Sequence, residues 1–171
     1  MKNVILVSLF LSQAVFAGDH KHESLHAHEH GGVKLEVAVD KNQVSIHLDT
    51  PAESLIGFEY EAKTDKEKKI WADLQKTWSA GTKYFSIEAS AGCSLKKAEI
   101  KREVTAGEAA GHSDLEGTAS WDCKNSLAGK KIKVFLKKEF KNIKDLDADV
   151  IPSSGKPYSK ELAGKVEELS L

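Results

Sequence analysis

The sequence predicts an α+β domain built mainly on antiparallel sheet, with one or two helices and a disordered histidine-rich tail before it. Three observations carry this. Val33, Leu35, Val37 and Val39 alternate with polar residues, and after a turn Val44, Ile46 and Leu48 alternate again, the period of half-buried strands. Helical periodicity is confined to short windows, without the regular strand–helix alternation of a parallel α/β fold. The stretch Asp19–Gly32, DHKHESLHAHEHGG, holds five of the seven histidines and only Leu25 as an apolar anchor.

Residues 1–17 read as a secretory signal peptide, with Lys2 as n-region, Val4–Leu11 as apolar h-region and Ala17 before the cut. The apolar run is too short to span a bilayer, and no Cys follows it to carry lipid. A protein without a membrane anchor, starting near Gly18 and exported to a bacterial periplasm, is expected. The expected organisation is then signal peptide 1–17, metal-binding tail 18–32 and one domain 33–171. The chain has 25 basic and 26 acidic residues, a formal net charge of −1, and removing the signal takes only Lys2 with it. Such a balance gives no footing for nucleic acid or an anionic membrane surface.

The tail carries the chemistry. Neutral imidazole is the commonest side-chain ligand for Zn²⁺, Cu²⁺ and Ni²⁺. In an extended chain the alternating runs His20-x-His22 and His26-x-His28-x-His30 each put their histidines on one side. Cleavage after Ala17 would also leave Gly18-Asp19-His20 as the N-terminus. Its amine, two amide nitrogens and one imidazole suit planar Cu²⁺ or Ni²⁺, not tetrahedral Zn²⁺.

Along the domain, Asp40–Gln43 is the hairpin turn, and Thr50-Pro51 ends the second strand. His47 lies on the polar phase of that strand, either a ligand beside the tail or a solvated histidine. Ser54–Tyr60 reads as a mostly apolar loop. Thr64-x-x-Glu67 is a capping box opening a helix whose stripe is Ile70, Trp71, Leu74 and Trp78, with Gly81 at its C-terminal end. Strands are expected over Tyr84–Ile87, Cys93–Val104, Leu115–Cys123 and Ile132–Leu136, with Thr105–Gly111 as a small-residue loop. Phe140 and Ile143 suggest a short helix, and Leu146, Ala148 and Val150 a strand. The segment after Pro157 fits either a helix or an edge strand.

Cys93 and Cys123 are the only cysteines. Export favours a disulfide over two thiolate ligands, and antiparallel pairing of their strands would bring them together. It would close a loop of about 30 residues, worth roughly 3–4 kcal/mol. His112-Ser113-Asp114 meets the small-residue loop, where His112 and Asp114 could bind Zn²⁺ or form a turn. No HExxH motif appears, nor a nucleophile beside a plausible base, so an enzyme is not expected.

Several separated motifs then converge. HAHEHG at 26–31 precedes Val-x-Leu-x-Val-x-Val, and TPAESLIGFE at 50–59 follows the hairpin. Gly92-Cys93, His112-x-Asp114 and Trp121-x-Cys123 come after. In order and spacing these resemble the ZrgA-type family of periplasmic zinc-uptake proteins over residues 26–171. The resemblance implies a zinc-binding protein that assists zinc acquisition, with a zinc uptake transporter or its binding protein as partner. It carries the metal role onto His26, His28 and His30, and onto His112 and Asp114. A copper or nickel buffer is the alternative. The chain departs from the family pattern at Tyr60, where a histidine is expected after Gly-Phe-Glu; if that histidine is a ligand in relatives, this chain lacks it.

Overall fold

The computed structural model describes residues 30–104 and 111–171. The expected signal peptide, His20, His22, His26 and His28, and most of the Thr105–Gly111 loop lie outside the described residues.

Nine strands and three α-helices are found among the described residues. Strands β1 (Gly32–Asp40) and β2 (Gln43–Pro51) form the expected hairpin across Lys41-Asn42, with Lys41 at a φ of 55°. Strand β2 pairs with β5 (Ser113–Cys123), and β5 with β4 (Cys93–Val104), all antiparallel. On the other side β1 pairs with β7 (Asp145–Ile151), which pairs with β8 (Tyr158–Glu161). The six-stranded order is therefore β4-β5-β2-β1-β7-β8. The β1–β7 pairing is parallel, the one exception to the antiparallel expectation among these pairs. It arises because the chain leaves the large sheet after β5 and returns only at β7. Between them β6 (Lys131–Val134) joins a second sheet of order β3-β6-β9, with β3 (Phe85–Ile87) and β9 (Glu167–Ser170).

Strand alternation buries one face. Val33, Leu35, Val37, Val44, Ile46, Leu48, Leu115, Leu146 and Val150 point into a core that Phe85, Ile132, Val134 and Leu169 of the small sheet also enter. Helix α2 (Asp65–Ser79) starts at the predicted capping box. Thr64 Oγ1 accepts from the Glu67 N–H at 3.2 Å, and the Glu67 carboxylate accepts from the Thr64 N–H at 2.8 Å. The helix drives Trp78 into the core, where its Nε1 donates to the Thr118 carbonyl at 3.0 Å. Gly117 makes room for that indole: a Cβ there would lie 2.4 Å from Trp78 Cζ2. Cys93 and Cys123 face each other across β4 and β5 and form the disulfide.

Several expected boundaries move. The 54–60 loop contains a helix, α1 (Ala52–Ile56), which Gly57 closes at a φ of 83° by donating to the Glu53 carbonyl at 2.9 Å. Burial of Ala52, Leu55 and Ile56 holds so short a helix in place, and it raises the count to three. The helix expected around Phe140 lies earlier, as α3 (Leu136–Glu139), because Phe140 turns extended to pack its ring 5.1 Å from Tyr84. The C-terminal ambiguity resolves to strands β8 and β9. Among the described residues no helix is long and apolar enough to cross a membrane.

Candidate metal centre

Four polar side chains converge where the first turn before β1 meets α1 and the start of β5. His30 lies two residues before the start of β1. The backbone beside it is pinned: Thr50 Oγ1 donates to the Gly32 carbonyl at 2.8 Å and the Lys144 N–H to the Gly31 carbonyl at 2.9 Å. Glu53 lies in the first turn of α1, its carbonyl held by Asn142 Nδ2 at 3.0 Å. Glu59 follows α1 on a loop whose flanking Phe58 is buried. His112 immediately precedes β5.

The imidazoles and carboxylates interleave. His30 Nδ1 is 2.6 Å from Glu53 Oε2 and 3.3 Å from Glu59 Oε1. Glu59 Oε2 hydrogen-bonds His112 Nδ1, and the two imidazole centroids are 6.4 Å apart. Ligand atoms of His30, Glu53 and Glu59 all lie within 4.8 Å of one another. The Glu59 side chain is only 11% exposed, against 51% for His30 and 43% for Glu53. Its Oε1 is buried without a hydrogen bond, although His30 is near. A buried carboxylate oxygen in that condition is costly unless a cation or donor reaches it.

Beneath the carboxylates lies a second layer. Arg102 of β4 donates from Nε to Ser113 Oγ at 2.8 Å and from one terminal nitrogen to the Glu59 and Tyr60 carbonyls. Ser113 Oγ donates to the same Glu59 carbonyl at 2.6 Å. Burial lowers the Arg102 pKa, with the nearby Glu61 charge opposing. Tyr60 turns toward α2 and donates to Glu67 Oε1 at 2.8 Å, which raises its own pKa.

Of the sequence candidates, His30 and His112 share this centre. His47 does not. It lies on the polar face of the large sheet, 3.6 Å from Glu116 and cross-strand from Glu36, beside a shallow depression of about 340 Å³. Asp114 sits within β5, cross-strand from Pro51 and Glu103. Sequence reasoning missed Glu53 and Glu59 as candidate ligands, although two carboxylates flanking the apolar run Leu55–Phe58 were a usable signal.

A sheet-rich domain with a mixed imidazole–carboxylate cluster next to a histidine-rich sequence has the makings of a metal-handling protein. The model of the ZrgA family of zinc uptake proteins matches residues 27–171, and the chain belongs to that family. Membership ties it to zinc uptake. No curated protein matches the chain.

Proposed function

We propose that the protein is a periplasmic zinc-binding protein that captures Zn²⁺ at His30, Glu53, Glu59 and His112 and passes it to an uptake transporter or its binding protein. The observation that carries this reading is the buried, unsatisfied Glu59 Oε1 facing His30. The donor set fits Zn²⁺, which takes imidazole nitrogen and carboxylate oxygen at about 2.0–2.2 Å in a tetrahedron. Ligand atoms on such an ion stand about 3.3 Å apart. The donors of His30, Glu53 and Glu59, already within 4.8 Å of one another, reach that spacing by small side-chain shifts, and His112 joins them through its contact with Glu59. Imidazole and carboxylate bind metal only when deprotonated, so zinc competes with protons for these groups.

His20, His22, His26 and His28 add weaker capture sites upstream. The family is one of uptake proteins, which favours a carrier over an enzyme. An imidazole–carboxylate site does not by itself reject Cu²⁺. A copper or nickel role would instead be favoured by the Gly18-Asp19-His20 terminus. The test is calorimetric titration of the protein beginning at Gly18 with Zn²⁺ and Cu²⁺, repeated on His112→Ala and Glu59→Gln. A tight zinc site lost in both variants supports the reading, and zinc binding indifferent to both refutes it.

A further inference from the structure

We propose that Arg102 is the positioning residue of this centre, clamping the wall that carries Glu59 to the wall that carries His112; the inference rests on the zinc reading above. Glu59 sits in the irregular chain between α1 and α2, with no helix or strand to fix its backbone. His112 likewise precedes its strand. Arg102 bridges the two. Its Nε holds Ser113, the neighbour of His112, while its terminal nitrogen holds the carbonyls of Glu59 and Tyr60. Ser113 Oγ closes the ring by donating to the Glu59 carbonyl at 2.6 Å. The guanidinium lies 5.7 Å from the centre of the Phe58 ring, which fixes its plane.

These bonds end on carbonyl and hydroxyl oxygens. The Glu59 carboxylate thus keeps both oxygens directed at His30 and His112. A planar fork can serve a hydroxyl and two carbonyls at once, whereas a lysine ammonium on a flexible stem cannot hold the same geometry. Partners hydrogen-bonded to the ligating groups themselves typically change metal affinity about 10–100-fold, and Arg102 reaches the same ligands through the Glu59 backbone and Ser113.

Charge and position make opposite predictions, which gives the test its edge. If Arg102 acted only as a nearby positive charge, removing it would relieve repulsion and raise affinity for a divalent cation. If it positions the walls, affinity falls. The experiment compares the protein beginning at Gly18 with Arg102→Gln, Arg102→Lys and Ser113→Ala. It reads Zn²⁺ affinity, the visible spectrum of the Co²⁺-loaded form and the melting temperature of the metal-free form. The expected result is a zinc affinity about 10–100-fold lower in both Arg102 variants. Ser113→Ala shows a smaller loss, and all three have altered Co²⁺ bands without a matching fall in melting temperature. Unchanged or higher zinc affinity with an unaltered Co²⁺ spectrum overturns the role. Should the Arg102 variants fail to fold, Ser113→Ala alone decides by the same criteria. Glu59→Gln and His112→Ala run alongside. If Co²⁺ binds them as it binds the parent, the centre itself is wrong; if they lose it while the clamp variants do not, only the positioning role fails.

Discussion

Glu59 and His112 stand 53 residues apart in sequence, yet the Glu59 carboxylate hydrogen-bonds His112 Nδ1. The contact exists because β5 runs beside β2, which leads directly into α1, so the start of β5 and the end of α1 share one edge of the domain.

Zinc binding should be pH-dependent in a direction set by its ligands. Imidazole binds metal only when deprotonated, and its ordinary pKa is about 6.5. Protons therefore compete with zinc, and affinity should be lower at about pH 5.5 than at about pH 7. Calorimetry at both ends checks this; equal affinities would mean that the carboxylates alone hold the ion.

The capping box of α2 should resist acid. Hydrogen bonds from the Thr64 backbone, Tyr60 and the Lys63 backbone hold the Glu67 pKa down to about 2, against an ordinary 4.5. A depressed carboxylate pKa contributes stability that is full above 4.5 and lost as pH falls toward 2. Glu67→Gln should thus be less stable than the parent at neutral pH, and the difference should shrink across that window. Urea unfolding at pH 6, 4 and 2.5 measures it, and a gap that does not narrow on acidification contradicts the assignment.

Gly117→Ala should overpack the core. The new Cβ would stand 2.4 Å from Trp78 Cζ2, with β5 hydrogen-bonded on both sides, so the indole must move. A loss of about 1–3 kcal/mol is expected, with a shift in tryptophan emission as the Trp78–Thr118 hydrogen bond breaks. Parental stability in chemical unfolding would contradict the packing described.

Reducing the Cys93–Cys123 disulfide should cost roughly 3–4 kcal/mol, since it closes a separation of 30 residues. Denaturant unfolding of the Cys93→Ala/Cys123→Ala variant reads this. Parental unfolding behaviour, or two alkylatable thiols in protein purified without reductant, would refute it.

The sequence made the β1–β2 hairpin legible because one-sided burial writes itself as strict alternation from Val33 to Leu48. Helix α2 was legible from Thr64 and Glu67, whose capping contacts span three residues. The disulfide was legible from two cysteines in a chain read as exported, together with the pairing of their strands. Helix α1 was hidden because five residues between Pro51 and Gly57 are too few to show a helical period. The small sheet was hidden because its pairings join distant segments, such as Val134 to Glu167. His30 and His112 were visible as metal-type residues, but nothing local joins them to Glu53 and Glu59. Arg102 in sequence is one more charged residue on an exposed edge strand; its role appears only when Glu59, Tyr60 and Ser113 are in place around it.

The measurement that bears most directly on the zinc centre uses protein in which His20, His22, His26 and His28 are replaced by alanine and His30 is kept. Zinc is titrated by calorimetry into this protein and into its Glu59→Gln derivative. The centre described here predicts one Zn²⁺ bound per chain in the first and an affinity at least about 10-fold weaker in the second. No zinc bound without the four tail histidines, or equal binding with and without the Glu59 carboxylate, would contradict it.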